Sequence, residues 1–258
     1  MRPDKEWGSE VSNILIVESK NDELFIRALI EHLNLSYVQV DSHPICHIDD
    51  FESMEGLNSK KLENRLSALK NQLPKKNMNA IGIIIDHDGK REERINLVNE
   101  AIQNIFTAEE HLLDTGKFIS AYADVGDDRF DFQIACYLVN VNESGELETV
   151  LKAIKSKDSP YADCLGTWRE CVEKRLGATS SEEKQKILSD KEFDKFWLNN
   201  YIRFDTCSKK EKKRAERKCG IRHFEYVTQS KKDIFDFDNP VLEDIKCFLG
   251  LFKNHGSN

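Results

Sequence analysis

The sequence predicts an α/β fold, a mostly parallel sheet flanked by helices, followed by a predominantly helical C-terminal region. Three observations predict it. Short apolar runs of β-formers, "NILIVES" from residue 13 and "AIGIIID" from residue 80, read as buried strands. Each is followed by a stretch whose apolar residues recur at helical spacing. Beyond residue 142 helical patterns dominate.

The elements follow in order. The first strand stops at Glu18, and "KNDELFIRALIEHLNL" then places Leu24, Phe25, Ala28, Leu29 and Leu33 on one helix face. Asn21 is the expected N-cap, ahead of the acidic Asp22 and Glu23. "SYVQVD" predicts a second strand, and the polar "SHPICHIDDFESMEGLNS" a long loop. Leu62, Leu66, Leu69 and Leu73 form the stripe of a helix that Pro74 closes. After the strand "AIGIIID", Ile95, Val98, Ile102 and Ile105 mark another amphipathic helix. "KFISAYADVG" and "DFQIACYLVNV" are two further strands, the second alternating Phe132, Ile134, Cys136 and Leu138 on one face. "NESGELETVLKAIK" opens the helical region, in which Phe193, Phe196, Trp197 and Tyr201, and later Val241, Ile245, Phe248 and Phe252, form stripes at helical spacing that are more often core than base-stacking surface. The expected division is an α/β domain over 12–142 and a helical region over 143–258 packed on it.

Composition narrows the function. With 258 residues, 39% hydrophobic and 33% charged, the chain buries a sizeable core but is short for two large domains. No apolar run approaches the roughly 20 residues that span a bilayer, and "MRPDKEWGSE" lacks the apolar segment of a secretory signal, so the expected location is cytoplasmic, without a membrane. Seven cysteines without regular spacing predict reduced thiols rather than a disulfide framework. Cys46 and His47, or Cys207, Cys219 and His223, lack the tight CxxC spacing of a zinc site. A net charge of −8 argues against coating nucleic acid by bulk attraction, but not against a local basic groove. In the run "KKEKKRAERK", Lys209, Lys210, Lys212, Lys213 and Arg214 form either a solvated helix face or a phosphate-contacting patch.

In open parallel sheets the ligand sits beyond the carboxyl ends of the strands. Glu18 is at one such end, and Asp86 and Asp88 are at another. If those strands are neighbours, three carboxylates converge, and a divalent cation would offset their repulsion. Alternation at the strand end would aim Asp86 and Asp88 to one side with His87 elsewhere, and Gly89 lets the backbone turn.

The ordered set "ILIVESKNDELFIRALI" then "IGIIIDHDG" resembles the TOPRIM domain, in which a glutamate follows the first strand and a DxD pair a later one. Glu18 matches the glutamate, Asp86 and Asp88 the pair, and Asp22 an acidic position shortly after the glutamate. With "SGELETVL", "FDFDNPVLEDIKCFLGLF" and Glu148, nearly the whole chain resembles a standalone TOPRIM-like family related to the OLD nucleases. Two positions depart from the pattern: Ser19 stands where a glycine is usual, and Lys90 where some members carry a third acid. Lys90 is either a phosphate contact or a solvated residue of the next helix.

The resemblance implies a nuclease dependent on Mg2+ or Mn2+ that hydrolyses phosphodiester bonds of DNA or RNA, in phage defence or repair. Glu18, Asp86 and Asp88 would be its catalytic and metal-binding residues. A second ion would draw on Glu148, Asp127 or Asp128, although an acid at a helix N-terminus explains Glu148 as well. Such proteins often work with an ATPase partner, and this chain has no GxxxxGK[ST] loop. The alternative is a TOPRIM-like module that binds a nucleotide or regulates a partner without cutting.

Overall fold

The computed structural model describes residues 13–46, 56–76, 78–112, 115–142, 145–176, 188–214 and 218–255. His47, Ser144 and Arg217, which fall within sequence motifs considered above, lie outside them. The chain forms two compact units, one of residues 1–139 with 242–258 and one of 140–241. The closing segment, residues 242–258, belongs with the first unit.

The elements are β1 (Asn13–Val17), α1 (Lys20–Leu33), β2 (Gln39–Val40), α2 (Ser59–Lys70), β3 (Ala80–Asp86), α3 (Arg91–Ile105), β4 (Thr107–Ala108), β5 (Ile119–Val125) and β6 (Asp128–Val139). Then follow α4 (Leu147–Ala153), α5 (Pro160–Leu176), α6 (Asp190–Asn200), a π-helical turn (Tyr201–Asp205), α7 (Lys209–Arg214), α8 (Phe224–Ser230) and α9 (Glu243–Gly250). Among the described residues six strands make one sheet, in the order β2-β1-β3-β6-β5-β4. β2, β1, β3 and β6 run parallel, and β5 and β4 are antiparallel additions.

From β1 the chain steps one way to β2 and then back past β1 to β3. Right-handed crossovers therefore put α1 and α2 on opposite faces. On the α2 and α3 face, Ile14, Ile16, Ile81, Ile83 and Ile85 join Leu62, Leu66, Leu69, Val98 and Ile102 in one buried cluster. The other face carries α1 and the end of the chain: Phe248 lies against Tyr137 with ring centroids 5.4 Å apart, and Phe252 against Phe118 at 5.0 Å. Gly82 permits this approach, since a Cβ there would stand 2.7 Å from the Phe252 ring and would also collide with Leu15. Covered on both faces, all seven residues of β3 are buried, which is why its sequence is continuously apolar.

Two local expectations change, and one short strand is added. The N-cap of α1 is Ser19, not Asn21: the Asp22 carboxylate accepts from the Ser19 backbone N–H at 2.9 Å, and Ser19 Oγ accepts from Asp22 N–H at 3.3 Å. Only Gln39 and Val40 of "SYVQVD" pair as a strand. β4 had no sequence signature; two residues pair there with β5.

The second unit is helical. Trp197 and Tyr201 stack at 5.3 Å in its core, and the Tyr201 hydroxyl donates to the Ile234 carbonyl at 2.7 Å. Phe193 is buried with them, but Phe196, expected in the same core stripe, is 39% exposed. Cys207 and Cys219 form a disulfide. This corrects the expectation of seven reduced thiols and removes both sulfurs from any zinc site. Among the described residues no helix is long and apolar enough to cross a membrane.

Candidate metal centre

β1 and β3 lie side by side with Val17 opposite Ile84, so Glu18 and Asp86 leave the sheet together. This is also where the chain's path reverses direction across the sheet, the position at which open α/β sheets bind ligands. The Glu18 carboxylate accepts a hydrogen bond from the Asp86 backbone N–H at 3.1 Å. Asp86 is itself buried.

A turn, rather than continued strand alternation, brings Asp88 back. His87 N–H still donates to the Val139 carbonyl at 3.1 Å, extending the β3–β6 ladder by one bond. Asp88 then takes a left-handed conformation at φ 51°, followed by Gly89 at φ 67°. Aspartate tolerates this region better than most residues, and glycine enters it freely. His87 Nδ1 accepts from Gly89 N–H at 3.1 Å and Lys90 N–H donates to the His87 carbonyl at 2.9 Å, which closes the turn. Asp86 and Asp88 consequently bring carboxylate oxygens within 4.8 Å of each other. Two hard oxygen donors at this separation form an acidic pair that could hold a metal ion, and Mg2+ is commonly bound by one or two carboxylates plus waters and substrate phosphates.

Arg94, which sequence reasoning missed, forms an ion pair with Asp88. It projects from the first turns of α3, and both side chains are mostly buried. In "KREERIN" nothing distinguishes it from the other charged residues of that helix; only the turn at Asp88 and Gly89 makes it the partner. Cys46 also approaches, its N–H donating to the Glu18 carbonyl at 2.8 Å. Burial first, and the Glu18 carboxylate second, push its thiol pKa up, which disfavours a thiolate ligand.

The remaining sequence candidates divide. Asp22 is buried and engaged in capping α1. Lys90 is exposed and paired with Glu93 at 3.0 Å, the arrangement of a solvated residue at the helix start. Asp127 is in the β5–β6 turn, preceding a β6 of 12 residues whose far end pairs with Asp86. Roughly 40 Å of strand separates the two ends, so Asp127 and Asp128 do not join Asp86, because β6 runs parallel to β3. Glu148 sits in the first turn of α4 in the second unit and is buried. Burial raises its pKa, opposed by Lys195, with Glu146 raising it further. Glu146 is the N-cap residue of α4 and is paired with Lys191 at 2.7 Å. Lys209, Lys210 and Lys213 are exposed on α7, Lys212 is partly buried against the π-helical turn, and Arg214 ends the helix.

An α/β protein with paired strand-end carboxylates is the class that fold and site define. The model of one family, described as a protein of unknown function (DUF3226), matches residues 12–253. The chain belongs to that family. No curated protein and no solved structure matches it.

Proposed function

We propose that the protein is a metal-dependent nuclease that hydrolyses phosphodiester bonds of DNA or RNA, with Asp86 and Asp88 as ligands of Mg2+ or Mn2+ and Glu18 as the third catalytic carboxylate. One observation carries the reading: Glu18 and the Asp86/Asp88 pair, distant in sequence, meet at the carboxyl edge where the sheet changes direction. The TOPRIM resemblance, with a glutamate and a DxD in this order, adds the sequence context of the same residues.

When bound, a divalent ion polarises a phosphoryl oxygen and stabilises negative charge on the scissile phosphate. The chain supplies the rest. The Asp86 N–H orients Glu18, so its carboxylate helps to hold the metal or positions the attacking water. The turn at Asp88 and Gly89 holds both aspartates on one side, and Arg94 fixes Asp88. Water forms the new bond to phosphorus, the bond to the leaving sugar oxygen breaks, and that oxygen takes up a proton. Any ATP dependence would come from a partner ATPase.

The Arg94–Asp88 ion pair favours a second reading, a TOPRIM-like nucleotide-binding or regulatory module that does not cut, because a cation already offsets half of the aspartate charge. The two readings separate in a cleavage assay on supercoiled, linear and single-stranded DNA and on RNA, with Mg2+ or Mn2+. Cleavage by the wild type that disappears in a folded Asp86→Ala, Asp88→Ala variant is the expected result. Metal binding without cleavage of any substrate, with or without a candidate ATPase, overturns the nuclease reading in favour of the module.

A further inference from the structure

We propose that the second unit carries a binding surface for single-stranded nucleic acid, formed by two exposed aromatic pairs on α5 and on α6 with its π-helical turn, beside the basic helix α7. The proposal deepens the nuclease reading by naming the form of its substrate, and rests on that reading for its purpose. The surface itself consists of different residues.

Large apolar side chains are rarely left in water in contiguous groups without a function. Here Tyr161 is 64% exposed, Trp168 45%, Phe204 41% and Phe196 39%. They are paired: Tyr161 with Phe204 at 6.0 Å between ring centroids, and Trp168 with Phe196 at 5.5 Å. Tyr161 and Trp168 are seven residues apart on α5, two helical turns, so the pairs lie on one face roughly 10 Å apart. The trunk beneath them is closed by other rings, those of Phe193, Trp197 and Tyr201. The exposed rings are therefore additions to a finished core.

Charge selects the occupant. Lys212 Nζ stands 5.1 Å from the Phe204 ring centroid, and the Arg203 guanidinium 5.8 Å. Lys209, Lys210 and Lys213 are exposed on the same short helix. The acids between them are turned inward: Asp205 accepts from the Tyr161 and Ala162 backbone N–H groups at 3.0 Å, and Glu211 is held by Lys231 at 2.8 Å. Around Phe204 and α7 what faces solvent is thus aromatic and cationic; beside the other pair Glu192, exposed one turn before Phe196, is engaged in capping α6 through Ser189. Lysine is depleted at protein–protein interfaces, whereas rings interleaved with cations are how proteins bind unpaired bases and their phosphates. A duplex keeps its base faces stacked internally and would engage the cations alone.

The test is fluorescence anisotropy with labelled oligo(dT), oligo(U) and a duplex of equal length, in EDTA so that no metal-dependent cleavage intervenes. Single strands should bind more tightly than the duplex and quench tryptophan fluorescence; comparison of the two oligonucleotides assigns DNA or RNA. Trp168→Leu and Tyr161→Leu, which keep apolar bulk but remove the ring face, should each weaken binding by roughly 5- to 100-fold, while Trp168→Phe retains it. Lys212→Gln with Lys213→Gln should reduce the slope of log affinity against log salt by roughly 1.4. Equal binding of duplex and single strand, unchanged binding by folded leucine variants, or no single-strand binding by the wild type at low salt overturns the proposal. Binding without cleavage of any substrate, with or without a candidate ATPase, would sink the nuclease reading and leave this surface standing; cleavage with indifferent leucine variants would do the reverse.

Discussion

The Glu18 carboxylate accepts the backbone N–H of Asp86 at 3.1 Å across 68 residues of sequence. The bond ties the end of β1 to the end of β3, so the first carboxylate of the site is positioned by the backbone of the second. Structure and chemistry can be separated by substitution. Glu18→Gln keeps an acceptor and removes the charge, so stability should change little while affinity for Mg2+ or Mn2+ falls. Glu18→Ala removes this acceptor from a buried N–H and should cost about 1–3 kcal/mol. Urea unfolding with metal titration by calorimetry checks both, and equal loss of stability in the two variants would refute the assignment.

Arg94 and a bound cation should compete in their effect on Asp88. The ion pair is mostly buried, with side chains 13% and 21% exposed. Arg94→Ala should therefore destabilise the metal-free protein by about 1–3 kcal/mol, less than a fully buried pair would cost. Saturating Mn2+ should raise the variant's thermal midpoint more than that of the wild type, because ligand binding adds stability through differential affinity. A smaller rise in the variant would show that Arg94 helps the metal rather than substituting for it.

What was legible in the sequence depended on whether the signal was local. β3 was legible because a strand covered on both faces is continuously apolar, and Glu18, Asp86 and Asp88 were legible as charges abruptly ending such runs. The N-cap of α1 was misassigned because Ser19 and Asn21 are both good caps, and the choice depends on where β1 ends. Arg94 acquires its role only through the left-handed turn at Asp88. The exclusion of Asp127 required the direction of β6, which strand patterns do not encode. Ile245, Phe248 and Phe252 read correctly as core, whereas Val241 of the same stripe is 38% exposed, and the place of the three buried residues in the first unit depends on a return of the chain that chain order conceals. The Cys207–Cys219 bond, spanning 12 residues, matches no familiar spacing.

Gly82 should be intolerant of any side chain. An added Cβ meets Leu15 and stands 2.7 Å from the Phe252 ring, and overpacking of this kind costs about 1–3 kcal/mol. Phe252→Ala alone should cost about 3–5 kcal/mol through the cavity it leaves. Combined with Gly82→Ala, it should cost less than the two losses added, since the truncated ring makes room for the methyl group. Strict additivity in a denaturation double-mutant cycle would mean that the two residues do not share this space.

Thiol reactivity should follow burial and the disulfide. Without reductant, Cys164, Cys171 and Cys247 are exposed and should be alkylated rapidly by iodoacetamide in the folded protein. Cys136 is buried, and burial alone pushes its thiol up to about 12, so it should react only after unfolding. Cys207 and Cys219 should stay unlabelled in denaturant until a reductant is added. Mass spectrometry of the digested protein reads each site, and labelling of Cys207 in unreduced, unfolded protein would overturn the pairing.

Glu148 predicts a pH dependence of stability with a definite sign. Burial raises its pKa in the folded protein, Lys195 opposes this and Glu146 adds to it, with a net upward shift. The folded state therefore holds the proton more tightly than the unfolded chain. The stability tied to this proton is fully present below the unfolded glutamate pKa, about 4.3, and is lost as pH rises through the higher folded value. Glu148→Gln, which cannot ionise, should remove that segment of the profile. The thermal midpoint of the variant should thus gain on the wild type as pH is raised from about 4 toward neutrality and level off once Glu148 is ionised in both states. A difference independent of pH would mean that Glu148 ionises as readily in the fold as in the unfolded chain, its burial fully compensated by Lys195, Lys191 and the amide dipoles at the start of α4.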